Sequence, residues 1–180
     1  MPRLFFFTDP ARVPDPEAVL ARLPRGAGVV YRAFGDPDAI PRGRRLVRIA
    51  RRRGLTLLAG ADAHLAARIS ADGVHLPERG VRSAIGLKRA RPGWIVTSAA
   101  HSAEAIVQAR RAGADAVFVS PVFPSASPSA GRPLGPLRFA QLARGARLPV
   151  FALGGIDGVR AWRIVRAGAA GFAAVDALTR

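Results

Sequence analysis

The chain of 180 residues has the length of one domain with a sizeable core, which excludes a two-domain enzyme. Its composition, 49% apolar and 22% charged, and the lack of an apolar run near the roughly 20 residues that cross a bilayer exclude a disordered or membrane-spanning chain. Its 28 basic and 12 acidic side chains give a net charge of +16, and the lack of cysteine excludes disulfides, thiolate metal sites and cysteine nucleophiles.

Short strand-like runs alternate with helical patterns along the whole chain. We predict eight strands, at Leu4–Thr8, Gly28–Arg32, Leu55–Ala59, Gly73–Leu76, Trp94–Thr97, Ala116–Ser120, Val150–Gly154 and Gly171–Val175. Seven helices are predicted between them, near Asp15–Leu23, Pro41–Arg53, Asp62–Ile69, Val81–Arg89, Ser102–Ala112, Gly135–Arg144 and Asp157–Ala167. Strict alternation implies parallel strands joined by right-handed crossovers. Eight such strands in one domain over residues 1–180 favour an α/β fold, a closed (β/α)8 TIM barrel, over an open doubly wound sheet.

The eighth helix of such a barrel is not predicted in full. The five residues 176–180 follow the last predicted strand, so we expect the last helix to be truncated or missing. The apolar surface beside strands one and eight would then lack an internal cover. We expect a second subunit to cover it, which makes the protein a homodimer.

The densest basic run lies in the second predicted helix, between residues 42 and 53. Within it Leu46, Ile49 and Ala50 recur at helical spacing and form an apolar stripe, while the arginines face elsewhere. A basic stripe can bind nucleic acid through counterion release. Lys88 is the single lysine, however, and the other 27 of the 28 basic residues are arginines spread over most of the helices. We therefore expect a biased composition here rather than a nucleic-acid partner.

Two strand ends are candidates for a phosphate site. In TIM barrels the ligand site lies at the carboxyl ends of the strands, often with a phosphate near the loops after strands seven and eight. Gly154 and Gly155 follow strand seven, where glycines let backbone N–H groups approach an anion beside a helix N-terminus. The pair could equally serve only to form a turn. Val175 and Asp176 follow strand eight, and that carboxylate would either cap a short helical turn or repel a phosphate.

The longest stretch without predicted structure, residues 120–135, follows strand six. It carries four serines and an arginine. Long loops in compact domains are usually functional. We therefore expect an active-site loop over the mouth of the barrel, with Ser125, Ser127 and Gly131 at the ligand.

Six segments carry a family resemblance through their order and spacing. They are Phe7-Thr8-Asp9, Ala71-Asp-Gly-Val-His-Leu76, Ala100-His-Ser-Ala-Glu104, Gly113-Ala-Asp-Ala-Val117, Pro121-Val-Phe-Pro-Ser-Ala-Ser127 and Phe151-Ala-Leu-Gly-Gly-Ile156. Together they resemble the motifs of the thiamine-phosphate synthase and TenI superfamily of (β/α)8 barrels. The resemblance covers nearly the whole chain.

The resemblance implies a metal-dependent reaction whose ligands differ here. In synthases of this family a pyrimidine diphosphate ionises to a carbocation that a thiazole phosphate nitrogen captures, with Mg²⁺ held by carboxylates at the leaving diphosphate. The family's Asn-Asp metal pair corresponds to Gly60 and Ala61, with Asp62 one position later. Its second metal Asp corresponds to Gly80, with Glu78 the nearby acid. We expect no certain cofactor, because Mg²⁺ would bind only if Asp62 or Glu78 replaced the missing ligands.

The family's cationic positions are also altered. The Gln-X-Arg-X-Lys motif of strand two keeps its arginine as Arg32, while its lysine corresponds to Phe34. The lysine that closes the strand-six motif corresponds to Pro128, and the serine after strand five to Ala99, with Ser98 beside it. These replacements predict little or no synthase activity.

The histidine segments are more similar to the TenI branch, which also lacks the synthase metal ligands. TenI-like tautomerases isomerise a thiazole phosphate carboxylate by proton transfer. The catalytic histidine that this branch carries before Val-Phe corresponds to Pro121 here. His75 and His101 each face the ligand or serve packing or capping, and His64 is expected at the surface. Histidines at these separations are no metal signature.

The resemblance therefore implies a protein of thiamin biosynthesis that binds a phosphorylated thiazole or thiamin phosphate, in the synthase or thiazole tautomerase class. The expected catalytic residues are His75, His101 and Arg32. The expected ligand- and phosphate-binding residues are Ser125, Ser127, Gly131, Gly154, Gly155, Val175 and Asp176, with no metal ligand. Two alternatives stay open: a barrel acting on another small phosphorylated metabolite, and a non-enzymatic binding or regulatory protein.

The expected partners are a small phosphorylated ligand and a second copy of the chain, with no membrane. The apolar run at the start of the chain passes directly into polar turn residues, without the small-residue cleavage site of a signal peptide. We therefore expect a cytoplasmic protein.

Overall fold

The computed structural model describes residues 1–125, 127 and 131–178. Eight parallel strands close into a barrel in the order of the sequence, with the first strand paired to the last. The strands are β1 Leu4–Phe7, β2 Gly28–Tyr31, β3 Thr56–Gly60, β4 Gly73–Leu76, β5 Ile95–Ala100, β6 Ala116–Val119, β7 Val150–Leu153 and β8 Gly171–Ala174. The predicted (β/α)8 barrel is confirmed.

Seven α-helices cover the outside of the barrel in the described ranges. They are α1 Pro16–Arg22, α2 Ala39–Arg53, α3 Ala63–Ile69, α4 Ala84–Ala90, α5 Ala103–Arg111, α6 Gly135–Gly145 and α7 Gly158–Arg166. Two 3₁₀ turns complete the order, η1 Glu78–Ser83 before α4 and η2 Asp176–Leu178 after β8. None of the described helices combines the length and the apolar character needed to span a membrane.

Two helix starts differ from the predictions. α2 begins at Ala39 rather than at Pro41. The N–H groups of the first helical turn have no partner within the helix, so a proline, which lacks an N–H, fits inside that turn. The predicted fourth helix from Val81 is divided into η1, which starts at Glu78, and α4, which starts at Ala84. The prediction therefore placed the start of α2 two residues too late, and the predicted start at Val81 lies between the starts of η1 and α4.

β5 runs three residues beyond its predicted end at Thr97. Ser98, Ala99 and Ala100 continue the pairing with β6, where Ala99 lies opposite Phe118. The apolar and small residues of this stretch did not distinguish a strand from the following turn. The extension places the residues after Ala100 at the mouth of the barrel.

Large aromatic side chains fill the interior of the barrel. Phe5 of β1 contacts Phe118 of β6 and Phe151 of β7, with ring centroids 5.0 and 5.3 Å apart in edge-on geometry. Phe7 contacts Phe118 at 5.1 Å one layer higher. Edge-to-face contacts between aromatic rings stabilise such a core beyond simple burial. Aromatic rings therefore fill the barrel below the layer of Phe7.

Arginines of α2 bind neighbouring helix ends. Arg51 donates to the carbonyl oxygen of Ser70 at 3.1 Å, just after α3, and Arg53 donates to that of Leu23 at 3.2 Å, just after α1. The last carbonyls of a helix lack partners within the helix, and cations there are favourable. Part of the basic run thus serves the packing of adjacent helices.

Two similar segments make the same contact at the amino-terminal end of the barrel. The side chain of Asp72, before β4, accepts a hydrogen bond from the N–H of Leu57 at 2.7 Å. The side chain of Asp115, before β6, accepts one from the N–H of Val96 at 2.7 Å. The corresponding residue before β8 is Ala170, which has no carboxylate. The two aspartates therefore connect β3 with β4 and β5 with β6 through a side-chain hydrogen bond. In the described residues β7 and β8 have no such carboxylate bond between them.

The described chain places no α-helix after β8. The preceding helix, α7, exposes three large apolar side chains, Val159 at 79%, Trp162 at 60% and Val165 at 42%. Phe172 of β8 is half-buried. Apolar surface thus lies on the helix adjoining the last strand, and the homodimer stays a prediction.

Candidate active site

A cavity of about 1110 Å³ opens at the carboxyl ends of the strands. The structure brings all ten residues of the predicted site to its wall: Arg32, His75, His101, Ser125, Ser127, Gly131, Gly154, Gly155, Val175 and Asp176. The ends of parallel strands meet at one face of a barrel, which explains why residues far apart in sequence converge. Their roles in binding and catalysis stay predictions.

The turn after β7 is packed directly against the loop after β6. Gly154 and Gly155 have φ angles of +95° and +64°. A Cβ added to Gly154 would lie 2.9 Å from the Cα of Pro121, and one added to Gly155 would overlap the carbonyl oxygen of Pro124. The N–H of Phe123 also donates to the carbonyl oxygen of Gly154 at 3.1 Å. Both glycines are therefore required for the backbone shape and for the contact with the loop.

The same turn leaves backbone donors available. In the described ranges, the N–H groups of Gly155 and Ile156 donate to no backbone carbonyl. Both residues line the cavity, and α7 begins two residues later, at Gly158. Asp157 caps that helix by accepting from the N–H of Arg160 at 2.8 Å. Free N–H groups beside a helix N-terminus favour an anion.

Arg160 adds a positive charge at this turn. Its guanidinium donates to the carbonyl oxygen of Gly155 at 3.0 Å and lies 5.4 Å from the ring centroid of Phe123. It also pairs with Asp157 at 3.4 Å. The sequence analysis did not select Arg160, although its place in the first turn of the helix after Gly154 and Gly155 was a usable signal.

Asp9, Arg12, Arg32 and Asp176 form a charged network beside the cavity. Arg12 contacts Asp9 and Asp176 at 3.0 Å each, and Arg32 contacts Asp9 at 3.3 Å. Although burial alone would raise it, the hydrogen bond from Arg12 and the charges of Arg12 and Arg32 hold the pKa of Asp9 below its usual value. The pairing with Arg12 offsets the charge of Asp176, which reduces its expected repulsion of a phosphate. Arg12 is a second cavity residue that the sequence analysis missed.

Arg32 is held in place from several sides. Its Nε donates to the carbonyl oxygen of Thr8 at 2.7 Å, and its backbone N–H donates to the Thr8 hydroxyl at 2.9 Å. The guanidinium lies 5.7 Å from the ring centroid of Phe7 and 5.0 Å from that of Phe34. A half-buried cation with so many contacts is ordered before a ligand binds, so little side-chain entropy is lost on binding.

His75 points into the barrel at the floor of the cavity. Its Nδ1 lies 3.0 Å from the hydroxyl oxygen of Thr97, and its ring contacts the rings of Phe7 and Phe118 edge-on at 5.1 and 5.3 Å. Burial, with the charge of Arg32 as a smaller cause, lowers the pKa of His75 to about 3 from its usual 6.5. His75 is therefore a neutral imidazole at physiological pH.

We expect this buried neutral histidine to make the fold sensitive to acid. Because its pKa is 6.5 when unfolded and about 3 when folded, the unfolded state binds more protons below pH 6.5, and stability falls as pH falls toward 3. The loss is about 1.4 kcal/mol per pH unit, or about 2 kcal/mol from pH 7.5 to pH 5. Urea unfolding at both pH values measures it.

The matched variants are His75→Gln and His64→Gln. Glutamine at 75 carries no charge at either pH, so this variant should lose about 2 kcal/mol less than the wild type between the two pH values. His64 is exposed, and its replacement should keep the full acid sensitivity. Equal pH dependence of the wild type and His75→Gln would contradict the assignment.

His101 lies on the rim of the cavity, directly after β5. Its Nδ1 lies 2.7 Å from Oε2 of Glu78, and its backbone N–H donates to the same oxygen at 2.8 Å. The helix cap next to it is Ser102, whose hydroxyl accepts from the N–H of Ala105 at 3.1 Å. Of the two roles weighed for His101, capping thus belongs to its neighbour. No sequence pattern indicated the contact with Glu78, because it joins two loops.

The two carboxylates considered for Mg²⁺ are engaged elsewhere. Asp62 caps α3 by accepting from the N–H of Leu65 at 2.8 Å, and it does not line the cavity. Glu78 holds His101. The described ranges hold no cluster of three or more His, Cys, Asp or Glu side chains suited to a metal. These contacts do not fit the metal site that the synthases of the resembling family use.

The loop after β6 is anchored at both ends. The N–H of Leu134 donates to the carbonyl oxygen of Pro121 at 3.0 Å, which ties the end of the loop to its start. Ser125 accepts from the N–H of Ser127 at 3.3 Å, and both line the cavity together with Arg132. Pro128, the position of the family's lysine, lies outside the described residues.

A family model and curated relatives identify the family of the chain, and a solved structure shares its fold. A family model described as thiamine monophosphate synthase matches residues 4–178. The chain is 28% identical to a putative thiamine-phosphate synthase 2 of Aquifex aeolicus, covering 98% of this chain and 97% of the relative. It is 33% identical to a thiamine-phosphate synthase of Chlorobium luteolum, covering 77% and 69%. A thiamine phosphate pyrophosphorylase structure from Pyrococcus furiosus superposes with a TM-score of 0.84 at 23% identity, covering 98% and 90%.

Proposed function

Because this chain belongs to the thiamine monophosphate synthase and TenI family, we propose that it binds a phosphorylated thiazole or thiamin phosphate at the carboxyl-terminal face of its barrel. One observation carries the proposal. In a single cavity, the N–H groups of Gly155 and Ile156, which donate to no backbone carbonyl in the described ranges, lie at the start of α7 beside Arg160. Arg32 and His75 line the same cavity. This arrangement combines an anion site with groups that can contact a heterocyclic ring.

The phosphate lies, in this proposal, between the turn after β7 and the turn after β8. The N–H groups of Gly155 and Ile156 are suitable donors, and Val175 lines the cavity on the next strand. Arg160 provides a charge at the same turn. Asp176 is compatible with the anion because it pairs with Arg12 at 3.0 Å.

The ring lies toward the other side of the mouth. β4, which carries His75, is four strands from β8 in the closed order and so lies across the barrel from it. The neutral imidazole of His75 and the ring of Phe7 offer an apolar floor with one polar edge, which suits a small heteroaromatic ring. His101 lies on the rim beside this end, since β5 neighbours β4.

Binding in this proposal needs no metal. Asp62 and Glu78 make the contacts of a helix cap and of a histidine partner. Arginine side chains and backbone N–H groups can bind a phosphate monoester without a divalent cation. We propose the tautomerase class rather than the synthase class for this reason.

The test is calorimetric titration with thiazole phosphate and thiamin phosphate, with the two unphosphorylated alcohols as controls. Two hydrogen bonds to a charged group at about 1.5 kcal/mol each give the phosphorylated ligands about 100-fold tighter binding. EDTA should not change the affinity. Equal binding of phosphate and alcohol, or loss of binding in EDTA, would contradict the proposal.

A further inference from the structure

Glu78 holds His101, which lies on the rim of the cavity, through two contacts. One carboxylate oxygen of Glu78 accepts from the backbone N–H of His101 at 2.8 Å and lies 2.7 Å from its ring Nδ1. Two bonds to one residue fix both the position of its backbone and the rotation of its ring. When Glu78 is ionised it can only accept, so Nδ1 must carry the hydrogen and Nε2 must be the unprotonated nitrogen of the neutral ring.

The other imidazole of the cavity is unsuited to proton transfer near neutral pH. His75 lies among Phe7 and Phe118 and has a pKa of about 3 because of burial and the charge of Arg32. A base that weak accepts a proton poorly from a carbon acid at neutral pH. Of the two imidazoles that line this cavity, His101 is therefore the one suited to proton transfer.

Among the described charged side chains on η1 and α5, Glu78 is the one that pairs with His101. The other charged side chains on the two adjoining elements are Arg79 and Arg82 on η1 and Glu104, Arg110 and Arg111 on α5. In the part of the chain that the structure describes, none of these forms an ion pair with His101. Nε2 also makes no hydrogen bond within the described residues, so it is available to a ligand.

We propose that Glu78 is a positioning residue that holds His101 with Nδ1 protonated, so that Nε2 exchanges a proton with the bound ligand. This inference rests on the proposed function. A C–H bond of the phosphorylated thiazole breaks, its electron pair stays in the conjugated ring, and the proton goes to Nε2 of His101. Glu78 stabilises the resulting imidazolium. Return of the proton to a different carbon completes an isomerisation and restores the enzyme, with no other reactant.

The first test is spectroscopic. Ring nitrogen NMR of protein labelled at histidine reports the tautomer, and single glutamine variants of His64, His75 and His101 assign the three rings. We expect Nδ1 of His101 to be protonated in the wild type, and its Nε2 signal to move when thiazole phosphate is added. Glu78→Ala should produce a mixture of tautomers. Glu78→Gln keeps an acceptor oxygen and should keep the tautomer.

The second test is the isomerisation of a phosphorylated thiazole carboxylate. General acid–base catalysis contributes about 100-fold or more, so His101→Gln should lower kcat by at least about 100-fold. Glu78→Ala and Glu78→Gln should each lower kcat by about tenfold with little change in KM, because the alanine variant loses the orientation of the ring and the glutamine variant loses the charge. Glu104→Gln, which removes the same charge on α5, is the matched control and should be unchanged.

Two results would overturn the inference while leaving the proposed function intact: binding of thiazole phosphate without any change at Nε2, and an unchanged tautomer in a folded Glu78→Ala variant. Binding without isomerisation would overturn both the inference and the proposed tautomerase class, while leaving the proposed binding site intact. Absence of calorimetric binding in the wild type would instead contradict the proposed function. Circular dichroism of each variant separates loss of the contact from loss of the fold.

Discussion

We expect the purified protein to form thiamin phosphate at least about 1,000-fold more slowly than a complete synthase of the family assayed beside it. The reaction expels a diphosphate, and charge grows on that group in the transition state. Removing one preorganised contact to such a charge costs about 10²–10³ in rate. By the family resemblance, the positions that hold metal carboxylates in the synthases correspond to Ala61 and Gly80 here. We therefore expect two contacts to be lost together, with effects that need not add.

The assay uses the pyrimidine diphosphate, thiazole phosphate and Mg²⁺, with thiamin phosphate followed over hours. Restoring carboxylates at positions 61 and 80 tests whether their absence causes the slow reaction. Ala61 has a φ of +62°, a region that Asp adopts more readily than most residues, and the nearest atom to a new Cβ at Gly80 is 3.3 Å away on Pro77. The double variant Ala61→Asp, Gly80→Asp should therefore fold and gain Mg²⁺-dependent turnover.

One result would show that the metal site has moved rather than disappeared. This is turnover near that of the thiamine-phosphate synthase of Chlorobium luteolum, abolished by Asp62→Ala or Glu78→Ala. It would also remove the basis for the metal-free binding proposed above, since both carboxylates would then have to leave their present contacts with Leu65 and His101.

The second large effect is expected from Gly155→Val. Its φ of +64° costs a residue with a side chain about 1–2 kcal/mol. The new Cβ would overlap the carbonyl oxygen of Pro124 and lie 2.9 Å from the Cβ of Phe123. The loop after β6 must then move, and it carries Ser125 on the cavity wall. We expect thiazole phosphate and inorganic phosphate to bind at least about 100-fold more weakly, with a lower Tm.

Gly113→Val is the matched control, because Gly113 has a φ of +80°, no atom lies within 4 Å of an added Cβ, and it does not line the cavity. It should lower the Tm but keep the phosphate affinity. Unchanged phosphate affinity in Gly155→Val would place the anion elsewhere in the cavity.

The sequence predicted the barrel because alternation of strands and helices is a local property of the chain. It also predicted which strand ends would meet, since closure brings all of them to one face. The role of His75 was left open, although strand alternation could have decided it. Val74 and Leu76 pack outward against the helices, which places His75 inward with Phe7.

The contacts between loops could not be predicted. Arg12 and Glu78 follow strand ends, where no periodic pattern fixes the direction of a side chain. Their partners Asp176 and His101 come from other turns of the barrel. Such pairs depend on the path of each turn, and a single sequence does not contain that information. The start of α2 was also predicted imprecisely. A proline such as Pro41 is tolerated inside the first turn, so it does not mark the first residue of the helix.

The pair of strands β7 and β8 has a consequence for local opening of the native state. In the described residues β7 and β8 lack the carboxylate bond found at Asp72 and Asp115, and α7 beside them has an uncovered face. Sub-global opening begins where burial and cross-strand bonds are fewest. A phosphate bound between Gly155 and Val175 would connect these two strands at their other end. Occupancy of the site would then slow amide hydrogen exchange in β8, because the ligand would stabilise the pairing of β7 with β8.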